Sequence, residues 1–174
     1  MRVAKPTQGI GSKSPLSPQT IRVRHCLAEW TKSGRKHWDL YRWLLSPVIL
    51  CDAARGVVRN GGVAGIDGVS CEDIKGKEWE FAVGLSTELR SGAYRPCAVK
   101  RVHIPKRDGR KRPLGIPTIK DRVIQKAMVL LLEPIYEQVF LASSYGYRRG
   151  KSGVECVAVA ANEVYRHRHI LEAD

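Results

Sequence analysis

The sequence predicts an α+β fold in which helices dominate and one basic β-hairpin stands between them. Apolar residues recur at helical spacing in several segments, and an Asp-Gly turn joins two short runs of β-prone residues. A chain of 174 residues, 43% of them hydrophobic, is long enough to bury a core, which argues against disorder.

The N-terminal part is predicted to be a tail followed by two short helices. Residues 1–36 are assigned to a flexible basic tail, because Ser, Pro, Gly and Lys are frequent at its start and a basic amphipathic stretch follows. The two helices are expected on either side of Pro47. Ser46 can cap the second helix, and Pro47 can occupy its first turn without losing a hydrogen bond. The Asn-Gly-Gly run at residues 60–62 predicts its end.

A glycine-rich loop and a packed helix are predicted before the hairpin. The loop spans residues 62–70, and the helix follows over about residues 74–90. Apolar side chains recur every three or four residues in that helix, at Ala82, Leu85 and Leu89.

The hairpin is predicted from two runs that flank a Lys-Arg-Asp-Gly turn. The runs are residues 98–104 and 110–116, and Asp-Gly is a strong turn signal. Pro113 lacks a backbone N–H, so the second run is expected to be an edge strand or a broken strand.

Two more helices and a strand are predicted after the hairpin. The first helix begins near Lys120, is interrupted near Pro134 and resumes to Phe140. The second starts with the capping-box spacing of Ser152 and Glu155. Residues 169–174 are predicted to be a strand.

Positive charge is concentrated at the hairpin. The chain has a net charge of +13, and residues 98–126 hold ten basic residues against two acidic ones, a local balance of +8. The basic residues are Lys100, Arg101, Lys106, Arg107, Arg110, Lys111, Arg112, Lys120, Arg122 and Lys126. Such a density favours a polyanionic partner, nucleic acid first and an anionic membrane surface second.

The sequence also predicts a cytoplasmic protein without a membrane partner. The first residues contain no apolar segment typical of a signal peptide, and no apolar run approaches 18 residues. The five cysteines show no Cys-x-x-Cys pair, which is unlike a zinc site or a disulfide framework.

Four motifs resemble, in order, the conserved blocks of group II intron reverse transcriptases. They are GGVAGIDGVS, then VKRVHIPKRDGRKRPLGIPTIKDRVIQKAMVLLLEPIYEQVF, then SSYGYRRGKSG and finally ILEAD. The resemblance covers about residues 37–174. It implies the fingers of a right-hand polymerase, with residues 37–168 forming the N-terminal extension and fingers, and residues 169–174 the first strand of an incomplete palm.

The same resemblance assigns residues to catalysis and to the incoming nucleotide. Lys106 and Arg112 match fingers residues that bind the dNTP triphosphate, a role suited to a point charge and a guanidinium fork. Asp174 matches the first catalytic aspartate, a ligand of two Mg²⁺ ions. The Tyr-x-Asp-Asp motif of the family does not occur in these 174 residues, so this chain alone is expected to be inactive.

Template contacts are implied on both sides of the long helix. The residues that match the family's template side are Ile116, Pro117 and Arg122. The loop of Tyr145, Gly146, Tyr147 and Arg148 is added because it mixes aromatic and basic side chains, and Lys100 and Arg101 are assigned to RNA from their charge. The two tyrosines can stack on bases or anchor their loop to the core, and Ile116 and Pro117 can equally pack under the hairpin. The family usually has proline where this chain has Arg149.

The predicted function is therefore that of an RNA-directed DNA polymerase of the group II intron type. Its expected partners are an RNA template, an RNA/DNA primer duplex, dNTP and intron RNA. Two alternatives stay open: a non-catalytic, maturase-like RNA-binding module, and a CRISPR-associated or defence-associated reverse transcriptase. A basic protein of the ribosomal type would explain the charge but not the ordered motifs.

Overall fold

The computed structural model describes residues 16–105, 109–167, 169 and 171. In this part of the chain, seven helices and one two-stranded antiparallel sheet follow in the order α1 (Pro18–Lys32), α2 (Leu40–Leu44), α3 (Pro47–Asn60), α4 (Cys71–Ile74), α5 (Glu78–Arg90), β1 (Lys100–Pro105), β2 (Lys111–Ile116), α6 (Ile119–Tyr136) and α7 (Gly153–Arg166). The predicted helix-rich α+β class is confirmed.

Helix α3 lies at the centre of the hydrophobic core. It packs against α5 and α6, and α6 also contacts α1. The most deeply buried apolar side chains include Leu27, Ile49, Leu50, Ile119 and Val123. These residues come from α1, α3 and α6, so the core joins the N-terminal helices to the helix that follows the hairpin.

The predicted N-terminal tail is wrong for residues 18–32, which form α1. Ser17 caps this helix by accepting from Thr20 N, and its hydroxyl donates to the Asp52 carboxylate at 2.7 Å. Val23 and Leu27 lie on the buried side of the helix. They are two apolar residues in a strongly basic segment, so their helical spacing was a weak signal. Residues 1–15 of the predicted tail lie outside the described residues.

Helix α6 is not interrupted at Pro134, contrary to the prediction. Proline has no N–H to donate, which leaves the carbonyl of Leu130, four residues earlier, without its helical partner. The Arg24 guanidinium donates to that carbonyl at 2.6 Å and also pairs with Glu133 at 2.7 Å. A contact from α1, distant in sequence, therefore satisfies the group that the proline leaves open.

The other helix boundaries mostly follow the sequence signals. Helix α3 begins at Pro47 and ends before Gly61, whose φ is 64°. Ser46 precedes α3 as predicted, but its side chain forms no capping hydrogen bond. Helix α5 begins at Glu78, later than predicted, because the short helix α4 occupies the preceding turn; Ala82 and the other predicted apolar positions are buried.

The hairpin and α7 carry little buried surface. Strand β2 contains Pro113, paired with His103, in a sheet with no further strand among the described residues. The predicted capping box of Ser152 and Glu155 is present at the start of α7, and this helix has no buried residue. No helix in the described ranges has the length and apolar character needed to cross a membrane. The predicted terminal strand lies largely outside the described residues.

Candidate nucleic-acid interface

The hairpin presents two different exposed faces. Opposite residues in an antiparallel pair share a face, and successive residues along a strand alternate. The register therefore places Lys100, Val102, Ile104, Arg112, Leu114 and Ile116 on one side, called the front face here. The back face consists of Arg101, His103, Pro105, Lys111, Pro113 and Gly115. The front face is apolar with a cation at each end, whereas the back face has cations, proline and glycine.

A buried carboxylate holds the base of the hairpin. Asp121, near the start of α6, accepts hydrogen bonds from the hydroxyl of Tyr94 at 2.6 Å, the hydroxyl of Thr118 at 2.7 Å and the backbone N–H of Cys97 at 3.3 Å. Tyr94 and Cys97 precede β1, and Thr118 follows β2, so one side chain ties both ends of the hairpin to the core.

The protonation states of this cluster favour the observed hydrogen bonds. Burial alone would raise the pKa of Asp121, but the bonds from Tyr94, Thr118 and Cys97 outweigh burial and lower it. Burial and the bond to Asp121 raise the pKa of the Tyr94 phenol. Tyr94 thus remains a donor and Asp121 an acceptor at neutral pH.

The glycine-rich loop is pressed against the corner between β2 and α6. A Cβ at Gly65 would lie 2.7 Å from Thr118 Cα and 3.0 Å from the carbonyl oxygen of Pro117. The Arg122 guanidinium donates to that same Pro117 carbonyl at 3.0 Å and to the carbonyl of Val63. Arg122, predicted to contact the template, therefore joins the loop to the corner.

We expect Gly65→Ala to separate the loop from this corner. The added methyl group meets backbone atoms, which cannot rotate away, and such overpacking costs about 1–3 kcal/mol of unfolding free energy. Urea denaturation of the purified chain measures this loss.

Gly84→Ala is the matched control for that measurement. Gly84 lies in α5 with open space around its Cβ position, so alanine should leave the chain as stable or add up to about 1 kcal/mol. Equal stability of the Gly65→Ala and Gly84→Ala chains would contradict the close contact at Gly65.

The loop between α6 and α7 is organised by Arg148. Its guanidinium pairs with Glu137 at 2.9 Å, donates to the carbonyls of Leu141 and Ser144, and lies over the Phe140 ring at 5.0 Å. This hydrogen bonding lowers the pKa of Glu137. Arg148, predicted to bind template, is therefore engaged within the chain.

The two tyrosines of this loop differ in exposure. Tyr145 is half-buried, with the Lys151 ammonium 4.7 Å from its ring centre. Tyr147 is fully exposed and has a φ of 57°, a value that non-glycine residues rarely adopt. Tyr147 is thus the tyrosine whose ring is open to a base, and Gly146 beside it is also exposed. Arg149 pairs with Glu133 of α6 at 3.0 Å.

Four cations of the two hairpin strands are open to a ligand. Lys120 pairs with Glu88 at 2.8 Å. By contrast, four hairpin side chains are exposed and form no ion pair or side-chain hydrogen bond with any residue that the structure describes. These four are Lys100, Arg101, Lys111 and Arg112.

The remaining predicted site residues lie at the hairpin base or outside the described part. Ile116 and Pro117 are half-buried, and the Pro117 carbonyl accepts from Arg122. Lys106 and Asp174 lie outside the described residues. The structure therefore tests neither the predicted triphosphate contact of Lys106 nor the predicted catalytic role of Asp174.

Sequence reasoning missed the residues that hold this interface in place. In the sequence Asp121 is only one of two acids in a basic segment, and no motif marks Tyr94. One signal was present: Thr118 and Asp121 have the spacing of a helix cap, and the Thr118 hydroxyl does accept from Asp121 N. The contact of Gly65 with residues more than 50 positions away had no local signal.

Comparisons with known proteins agree with the motifs. No family model matches the chain. The chain is 38% identical over 130 residues to protein YkfC of Escherichia coli, and 36% identical over 136 residues to the group II intron-encoded protein LtrA of Lactococcus lactis. A putative COX1/OXI3 intron 1 protein of Saccharomyces cerevisiae is 29% identical over 85 residues, which is 49% of this chain and 10% of that protein.

The bacterial matches cover most of this chain but a small part of the relatives. They include 72% and 78% of the chain, whereas the chain spans only 34% of YkfC and 22% of LtrA. The matched proteins are named for introns in two of these three cases, and the motif order points to the same family. The chain is therefore related, over most of its own length, to group II intron-encoded proteins.

Proposed function

We propose that this chain forms the fingers part of an RNA-directed DNA polymerase of the group II intron type, where it contacts template RNA and the incoming dNTP. The observation that carries the proposal is the hairpin, which presents four uncompensated cations on a base fixed by Asp121. A preorganised base lets cations meet phosphates with little loss of conformational freedom.

The roles within this proposal follow the chemistry of the side chains. Arg112 and Lys106 bind the triphosphate, with a fork and a point charge. Tyr147 stacks on a template base, and Ile116 and Pro117 border the template. The engagement of Arg122 and Arg148 within the chain supports positioning roles for both residues.

The metal chemistry of such a polymerase needs further carboxylates besides Asp174. Asp174 supplies one carboxylate, while two Mg²⁺ ions require several oxygen ligands. Asp174 therefore contributes to a magnesium site that the remaining palm must complete. A non-catalytic, maturase-like RNA-binding role is the second candidate, since the hairpin cations alone suffice for it.

Binding of RNA by the purified chain is the expected result that tests both candidates. Each phosphate neutralised by Lys or Arg releases counterions, so log K should fall with log salt at a slope of about −0.7 per contact on single strands. Fluorescence anisotropy of a labelled single-stranded RNA, titrated between low and physiological salt, gives this slope. An affinity that does not change with salt would exclude the hairpin cations as the binding groups.

A further inference from the structure

The register of the hairpin separates cations that are adjacent in sequence. Lys100 and Arg101 are neighbours on β1, so their side chains project to opposite faces. Lys111 and Arg112 are likewise separated on β2. Each face thus receives one lysine and one arginine, although the linear sequence shows only a run of positive charge.

The front face has the composition of a surface for a nucleotide. Val102, Ile104 and Leu114 are 37%, 36% and 41% exposed, and they form an apolar strip between Lys100 at the base and Arg112 near the turn. An apolar strip can contact a base or sugar while a cation at its end meets phosphate.

The back face has the composition of a surface for a phosphate backbone. Arg101 and Lys111 stand at its two ends, His103 lies between them, and the positions opposite Arg101 and His103 are Gly115 and Pro113. These two opposite residues leave a shallow surface beside the cations. At the base of this face the Val99 side chain lies 3.0 Å from the place of a Gly115 Cβ, which gives one apolar contact there. Between Arg101 and Lys111 the paired strand positions carry no large aliphatic side chain, so this stretch offers phosphate contacts without an apolar platform for bases.

The dimensions of the back face favour a single strand. Lys111 is paired with Pro105, which lies four positions after Arg101 on β1. The two cations are therefore separated along the strands by roughly 14 Å, at about 3.4 Å per residue. One backbone segment must run along the strands to meet both cations. Recognition of an RNA duplex uses phosphate and 2′-hydroxyl contacts spread across its wide minor groove, whereas a single strand can lie along one narrow ribbon.

We propose that the hairpin serves two ligands at once, with the back-face residues Arg101, His103 and Lys111 holding the phosphodiester backbone of single-stranded RNA. The front face is then left to the nucleotide. This inference rests on the proposed function and deepens it, because it divides the hairpin cations between two ligands. It also moves Lys100, and Ile116 opposite it, from the template-contacting set to the nucleotide face.

Two double variants with the same chemistry test the division. Arg101→Ala with Lys111→Ala, and Lys100→Ala with Arg112→Ala, each remove one arginine and one lysine from the same hairpin. General loss of charge is therefore identical in the two proteins. The measurement is the salt dependence of binding to a fluorescein-labelled single-stranded RNA, with the chain of 174 residues.

We expect only the back-face variant to lose phosphate contacts. Its log–log salt slope should become shallower by about 1.4, twice the value of about 0.7 for one contact, while the front-face variant keeps the slope of the unmodified chain. Equal losses in both variants, or a larger loss in the front-face variant, would overturn the division of the hairpin. Absence of salt-dependent binding by the unmodified chain would instead overturn the proposed function, and this inference with it.

Two controls separate the loss of charge from misfolding and from the loss of side-chain length. All four side chains are exposed, so the circular dichroism spectrum and Tm of each variant should match those of the unmodified chain. Glutamine at the same four positions keeps side-chain length and polarity while removing charge. The same difference between faces is expected from the glutamine pair, and a difference seen only with alanine would overturn the electrostatic basis of the proposal.

Discussion

Asp121→Ala is expected to lower the unfolding free energy of the chain by about 3 kcal/mol or more. The substitution removes the acceptor of three hydrogen bonds, and a buried donor left without a partner costs about 1–3 kcal/mol. The loss should be concentrated at the base of the hairpin, because Tyr94, Cys97 and Thr118 flank the two strands. Chemical denaturation gives the free energy, and hydrogen exchange of the strand amides gives its location.

Asp39→Ala is the matched control for this prediction. Asp39 lies at the surface and its carboxylate is 3.8 Å from Arg42, in a pair with both side chains mostly exposed. Exposed pairs of this kind contribute about 0–1 kcal/mol. Similar losses from both substitutions would show that Asp121 does not hold the hairpin.

Acid should reduce the difference between the unmodified chain and Asp121→Ala. The folded-state pKa of Asp121 is lower than the ordinary aspartate value, so this carboxyl group binds fewer protons in the folded chain than in the unfolded chain. The stability that it contributes is present above the unfolded pKa of about 3.9 and is lost as the pH falls through the folded pKa. Denaturation curves of both proteins, recorded from neutral pH down into this acid range, show whether the difference in their unfolding free energies shrinks. A difference that grows as the pH falls would contradict the prediction.

The elements that sequence patterns predicted are those stabilised by local interactions. The end of α3 at Gly61 and the capping box at Ser152 depend on residues within a few positions of one another, and the hairpin pairs residues that are 6 to 16 positions apart across one turn. The wrong predictions depend on distant partners. Helix α6 continues through Pro134 because Arg24 of α1 satisfies the Leu130 carbonyl. That contact spans more than 100 residues, and no local pattern contains it.

The candidate site divides in the same way. The sequence predicted a basic hairpin and placed its cations, since charge density is a local property. It did not separate Arg122, whose guanidinium binds the Val63 and Pro117 carbonyls, from the cations that remain open to a ligand. It also did not place Arg101 and Lys111 on one face, because that arrangement depends on the strand register and hence on the turn between the strands.

Arg112→Ala is expected to impair use of the incoming nucleotide much more than grip on RNA. The test needs a protein in which this chain is joined to the remaining palm of such a polymerase. Removing one charge-assisted donor to a reacting oxyanion typically costs about 2–4 kcal/mol, so kcat/KM for dNTP should fall roughly 30- to 700-fold. Lys106→Ala should act in the same direction, and Asp174→Ala should abolish incorporation.

Arg101→Ala is the control that gives this prediction its specificity. It removes the same side chain from the opposite face of the same hairpin, so a general effect of lost charge would be equal in both proteins. With dNTP varied at saturating template-primer, Arg112→Ala should alter the dNTP dependence and Arg101→Ala should not. With template-primer varied at saturating dNTP, Arg101→Ala should alter the template-primer dependence and Arg112→Ala should not. If Arg112→Ala weakens RNA binding and leaves the dNTP dependence intact, Arg112 belongs to the RNA surface, and the match of this hairpin to a triphosphate site is wrong.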